Sequence, residues 1–270
     1  MTFDIIGIMN NRGEGMSLKN GQVLCFSSFK GGVGKTITVL NLAGIYHLLD
    51  KKVLIIDFDL CGGGVALALN FKPRHDLYDL IEHIKLDKFT SFDNYVFAYN
   101  NNIDVLPSPV DLKMGFKLNL DYIDDVIIAA KTKYDVILID TTHALSHLNL
   151  MLWELSDLTL FIITNDPLDL NNAQSLLKLL KTNQFSNYKI ILNNARDTNK
   201  NYFSLFDIRK IIKHHVDYTI DKSFNIKNID RYILEGEILL LNKKIKRSQK
   251  NNFNKYVKMA KSLINETGGK

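Results

Sequence analysis

The chain has 270 residues, 46% hydrophobic and 23% charged, with a formal net charge of +5. That length and apolar content suffice for one domain with a substantial core. No apolar run approaches the ~18 residues of a membrane span, and the N-terminus carries Asp4 and no basic region before its short apolar stretch, unlike a signal peptide. The two cysteines, Cys25 and Cys61, fit no metal-ligand spacing, and so few point to a reducing, cytoplasmic setting.

In chain order, residues 1–20 read as a short leader and residues 21–270 as a single domain. Gln22 to Ser28 (QVLCFSS) is a short apolar run of the kind a buried strand needs, and Thr36 to Leu49 has helix length. Between them lies KGGVGKT, Lys30 to Thr36. Its six fixed positions would arise by chance in a chain this long on the order of 10⁻⁵ times.

The glycines let the backbone turn its N–H groups inward at a helix N-terminus, which makes an anion nest. The predicted cradle is Gly31, Gly32, Val33, Gly34, Lys35, Thr36 and Ile37, with Lys35 reaching the β- and γ-phosphates and Thr36 placing its hydroxyl on Mg²⁺. Phe29 stands where the ordinary phosphate-loop pattern has its first glycine, and Lys30 is an extra lysine at the loop's start.

Val53 to Ile56 reads as the next strand and ends in Asp57 and Asp59. Carboxylates at the carboxyl end of a strand in a doubly wound sheet lie near the ligand. The expectation is that Asp59 positions an attacking water and Asp57 supports the Mg²⁺ shell. A helix over His75 to His83, a strand over Ile103 to Leu106 and a helix over Leu120 to Lys131 follow. Tyr134 to Asp140 (YDVILID) is an apolar strand ending in an acid, and Asp140 is expected to bind Mg²⁺ through water.

Leu158 to Ile163 and Lys189 to Leu192 read as strands, with helices over Asn172 to Lys181 and Ser204 to Lys213. Asn193, at the end of the last of these strands, has an amide that both donates and accepts, as an adenine edge requires, and Asn194 is the second choice. Alternating strands and helices imply an α/β fold, a doubly wound, mostly parallel sheet with helices on both faces.

Residues 201–270 carry 15 basic against 7 acidic side chains, densest at Lys243, Lys244, Lys246 and Arg247. Such a region meets DNA, anionic lipid or an acidic partner, or is simply solvated. The terminal segment sets Phe253, Tyr256, Val257, Ala260, Leu263 and Ile264 on one helical face, which reads as a core helix or as a membrane-surface helix. His143 with His147, and His214 with His215, lack a third ligand in register and read as turn, switch or surface residues.

The loop with its second lysine resembles the ParA/MinD class of P-loop ATPases. The resemblance implies that Lys30 reaches across an ATP-bound homodimer to the partner's nucleotide, that Lys30, Lys35 and Asp59 carry the chemistry, and that the cofactors are ATP and Mg²⁺. It also places an asparagine at position 193 as the base-reading residue. Thr141, Thr142 and His143 stand where partition ATPases usually carry Thr-Pro-Pro.

DFDLCGGGVALALNFKPRHDLYDLIE, IDVLPSPVD and the stretch from YDVILID to LLKLLK further resemble the CpaE/TadZ branch, which positions type IV pilus assembly machinery. On that reading the partners are a second copy and an unidentified protein of a pilus or positioning machine. DNA partition and MinD-like cycling at the inner face of the membrane are the alternatives, with DNA allowed but not favoured. An iron–sulfur cluster of the nitrogenase iron protein type is not expected, because no second cysteine follows Cys61.

Overall fold

Six strands of the chain are dominated by Val, Ile, Leu and Phe rather than by an apolar–polar alternation, as strands covered on both faces should be. The computed structural model describes residues 20–143, 145–196 and 203–267; the expected leader lies outside them except for Asn20. The strands are β1 (Gln22–Ser27), β2 (Val53–Phe58), β3 (Phe97–Ala98), β4 (Ile103–Leu106), β5 (Val136–Thr141), β6 (Leu158–Ile163), β7 (Tyr188–Asn193) and β8 (Tyr218–Ile220). They form one sheet in the order β3-β4-β2-β5-β1-β6-β7-β8. Only β3 runs antiparallel, against β4; the other pairings are parallel.

The helices are α1 (Lys35–Leu48), α2 (Gly64–Ala68), α3 (Leu77–Lys85), α4 (Leu112–Phe116), α5 (Ile123–Lys133), α6 (His147–Leu155), α7 (Pro167–Thr182), α8 (Leu205–Ile212), α9 (Ile229–Leu234), α10 (Lys243–Ser248) and α11 (Lys250–Thr267). Successive strand residues serve opposite layers. Val23, Cys25, Ile137 and Ile139 pack with residues of α3 and α5 to α8. Leu24, Phe26, Val136 and Leu138 pack with residues of α1, α2 and α11. The doubly wound, mostly parallel α/β sheet read from the sequence is therefore the fold.

Helix starts differ from the expected ones because caps, not apolar spacing, set them. Asp76 forms a capping box with Asp79, so α3 begins at Leu77 rather than His75. Asp166 accepts from the backbone of Leu168 and Asp169, and Pro167 occupies the first turn, so α7 begins five residues before Asn172. Helix α6, capped by Ser146, and the short edge strands β3 and β8 have no counterpart among the expected elements.

The terminal apolar stripe is core. Tyr256, Ala260 and Leu263 are buried against α1 and the sheet, with Phe253, Val257 and Ile264 packed at their margin. The Gln22 side chain at the start of β1 donates to the Leu263 carbonyl at 2.7 Å, tying α11 to the sheet. Of the two readings of this stripe, core helix and membrane-surface helix, the packing matches the core helix. Among the described residues no helix is long and apolar enough to cross a membrane.

Candidate functional site

Strands β2 to β5 lie on one side of β1 and β6 to β8 on the other, so the strand order reverses at β1, the place where a crevice opens at the carboxyl ends of the strands. The loop Phe29–Gly34 fills that position and leads into α1. Gly34 caps α1 at φ +90°, a left-handed conformation that a side chain disfavours, and a Cβ there would also lie 2.6 Å from Asn193 Nδ2. Phe29 replaces the usual first glycine because its ring is an anchor. It packs on Phe161 of β6 and Trp153 of α6, with centroids 5.8 and 6.4 Å away.

The loop lines a cavity of about 310 Å³. Lys30 to Thr38 form one wall, with Asp59, His143, Asn193, Phe224 and Asn225 around the rest. Of the expected site residues, the seven cradle positions, Lys30, Asp59 and Asn193 all face this space. Asp57 and Asp140 lie behind it.

Parallel register explains where those two carboxylates go. Asp140 pairs with Phe26 of β1 on one side and with Asp57 of β2 on the other, so the acids are neighbours on adjacent strands, both fully buried. Lys35 Nζ lies 3.3 Å from Asp140 Oδ1, and the Thr36 hydroxyl donates to Oδ2 at 2.6 Å. Burial raises both carboxyls above the ordinary aspartate range. Asp140 adds to the rise at Asp57, while Lys35 and Thr36 pull Asp140 back down.

Asp57 accepts the backbone N–H of Asp59 at 2.9 Å and of Val65 at 3.0 Å, one on each oxygen. In this arrangement it holds the Asp59–Val65 turn rather than facing the metal position expected for it. Asp140 fits a metal site better: apart from the Lys35 ammonium its Oδ1 has no partner among the described residues, and Thr36 bridges its other oxygen to the cavity. Thr36 and Asp140 are the residues that would hold Mg²⁺, a Lewis acid that draws charge from phosphate oxygens. Asp59 lines the cavity, where a carboxylate can orient a water.

Asn193 is likewise committed to the protein. Its Nδ2 donates to the Val33 carbonyl at 2.7 Å and its Oδ1 accepts from Ala195 N at 3.0 Å. It fastens the phosphate loop to the end of β7, leaving one amide hydrogen for a base. The cavity is also lined by Ala195, Ile220, Phe224, Asn225 and Ile226. All but Ala195, which follows β7, come from the segment around the short strand β8, which carries no motif in the sequence.

Lys30 sits at the rim, 42% exposed, with its ammonium 2.9 Å from Asp166 Oδ2. That hydrogen bond holds the Asp166 carboxyl below its usual range. Asp-Pro before an apolar helix signals a capped start, but nothing in the sequence joins Asp166 to a lysine 136 positions earlier.

Residues 21–194 match the family model described as AAA domain. The chromosome-partitioning ATPase Soj of Treponema pallidum is 29% identical over 213 residues, covering 76% of this chain and 81% of that protein. Among solved structures, the ParA family ATPase from Chlorobium tepidum TLS superposes with a TM-score of 0.76 at 25% identity, over 88% of this chain and 98% of that one. The septum site-determining protein MinD complexed with Mg-ADP from Pyrococcus horikoshii superposes at 0.72 over 90% and 96%. At 21% identity that second likeness speaks for the fold alone.

Proposed function

The chain belongs to the AAA-domain family of ParA/MinD-type P-loop ATPases, and on that premise we propose that it is an ATP-driven dimerisation switch of the partition type. ATP with Mg²⁺ occupies the loop cavity, two copies close on each other's nucleotides, and hydrolysis releases them. The observation that carries this reading is the position of Lys30. It stands half-exposed at the rim and its ammonium pairs, among the described residues, with the Asp166 carboxylate at the surface, a contact weak enough to exchange for a second copy's phosphate. Asp59 orients the water, Lys35 and the backbone N–H groups of Gly31 to Ile37 hold the phosphates, and Thr36 with Asp140 holds the metal.

The cargo reading shifts from pilus positioning toward DNA. Relatives that the chain resembles carry partition and septum-site names. Segments that resemble the pilus branch have local structural roles. Asp76 of PRHDLYDLIE caps α3 and also accepts from Val110 N, while Leu77 N donates to the Pro107 carbonyl, so that segment and VLPSP are one packing unit. Pro167 serves the first turn of α7.

A basic surface fits DNA, and what argues against lipid is the burial of the α11 stripe. Lys178, Lys181, Lys213, His214 and His215 line an open groove between α7 and the end of α8, beside Phe185 and Tyr188.

The test is retention of random-sequence duplex DNA by the Asp59→Ala protein with ATP and Mg²⁺, with ADP, and with rising salt. ATP-dependent binding whose affinity falls linearly on a log–log plot against salt supports the partition reading. Dimerisation without DNA binding returns the cargo to a protein machine.

A further inference from the structure

We infer that His143 contacts the terminal phosphate of the bound nucleotide and gives the site its preference for a triphosphate over a diphosphate. The inference rests on the reading of the loop cavity as an ATP site.

The direction of the cavity is fixed by its two end glycines. A Cβ on Gly34 would meet Asn193 Nδ2, and the lining contributed by the chain after Asn193 is mostly apolar, with Asn225 as its one amide, which suits a base. A Cβ on Gly31 would instead meet the His143 ring, with Nδ1, Cε1 and Cγ at 3.7 to 3.9 Å. Lys30, next to Gly31 in the chain, and His143 line the cavity there. A nucleotide laid along the loop therefore runs from its base at the Gly34 end to its last phosphate at the Gly31 end.

His143 reaches this place because β5 ends at Thr141 beside β1, and the Thr141 hydroxyl donates to the Phe26 carbonyl at 2.8 Å. The chain two residues on then passes over the start of the phosphate loop. The imidazole is exposed, lines the cavity, and among the described residues shares no hydrogen bond or ion pair.

An imidazole carries at least one N–H in every protonation state, so it always offers a donor. Facing a cluster of phosphate oxygens, that donor forms a charge-assisted hydrogen bond. A diphosphate ends one group short of it. A proline at this position, as in the Thr-Pro-Pro turn of partition ATPases, offers no donor, so the contact belongs to this chain's own sequence.

The experiment is calorimetric titration of the full chain with Mg²⁺ and either a non-hydrolysable triphosphate, AMPPNP, or ADP. The proteins are the parent, His143→Ala and His143→Gln, whose thermal midpoints without nucleotide report that the fold is intact. The expected result is a loss of about tenfold in AMPPNP affinity in His143→Ala, the size of one charge-assisted hydrogen bond. ADP affinity stays unchanged, and most of the loss is recovered in His143→Gln, which keeps an N–H donor. Equal losses for both nucleotides, or none for either, overturn the inference while leaving the ATP site standing. A parent protein that binds neither nucleotide overturns the ATP reading itself.

Discussion

The Lys30 ammonium lies 2.9 Å from the Asp166 carboxylate, so the lysine at the head of the phosphate loop is held by the cap of a helix in its own chain. Both groups are partly exposed, and a pair of that kind contributes about 0–1 kcal/mol to stability. Its effect should be on the monomer–dimer balance. Asp166→Asn keeps an acceptor for the helix cap and removes the charge that competes for Lys30. The ATP-bound Asp59→Ala dimer should then form at lower protein concentration in light scattering, with an unchanged unfolding midpoint. Lys30→Ala in the same background should abolish the dimer; a dimer that survives would remove Lys30 from the mechanism.

Lys35→Ala should end nucleotide binding and also lower stability without nucleotide. Asp140 is fully buried, and Lys35 is its only cationic partner among the described residues. Breaking a buried pair by deleting one member costs about 3–5 kcal/mol. Calorimetry and a urea midpoint measure the two effects separately, and an unchanged midpoint would show that water compensates the carboxylate.

Asn193→Ala should loosen the loop from β7. Two hydrogen bonds are lost, and the Val33 carbonyl is left without this donor, a cost of about 1–3 kcal/mol. Asn194→Ala should be milder. If Asn193→Ala instead leaves stability intact and weakens only ATP, the residue reads the base after all.

Stability of the nucleotide-free protein should fall as pH rises from about 4 toward neutrality. Asp57 and Asp140 have raised folded values, above the ordinary 3.8. Between that value and their raised ones the native state binds protons that the unfolded chain has released, so the slope of stability against pH is negative. Carboxyls held low, such as Asp166 and Asp93, act only below that window. Urea midpoints at pH 5 and pH 7.5 measure the slope, Asp140→Asn should flatten it, and a midpoint that rises with pH would contradict it.

Ending the chain at Asn252 should unfold it rather than free it from lipid. The deletion removes Tyr256, Met259, Ala260 and Leu263 from the core under α1. Leu263→Ala alone should cost about 2–5 kcal/mol. A soluble, cooperatively folding truncated protein would show that α11 is dispensable.

The sequence by itself determined the parts whose physics is local. KGGVGKT announces a phosphate nest, because glycines at that spacing allow the N–H groups to turn inward. Runs such as VLIID and DVILID announce buried parallel strands, and acids at their ends announce the ligand side of the sheet. Hence the fold and the loop cavity were legible.

Tertiary structure decided everything that depends on two distant segments meeting. Asp57 and Asp59 look alike in IDFDL, yet only the pairing of β2 with β5 buries the first against backbone N–H groups and leaves the second facing the cavity. The apolar stripe of α11 has the same period on a membrane as on a sheet, and packing on α1 settled which. Asn193 meeting Val33, Lys30 meeting Asp166 and His143 meeting Gly31 join residues more than a hundred positions apart. No local pattern encodes such contacts, because they follow from strand order and register.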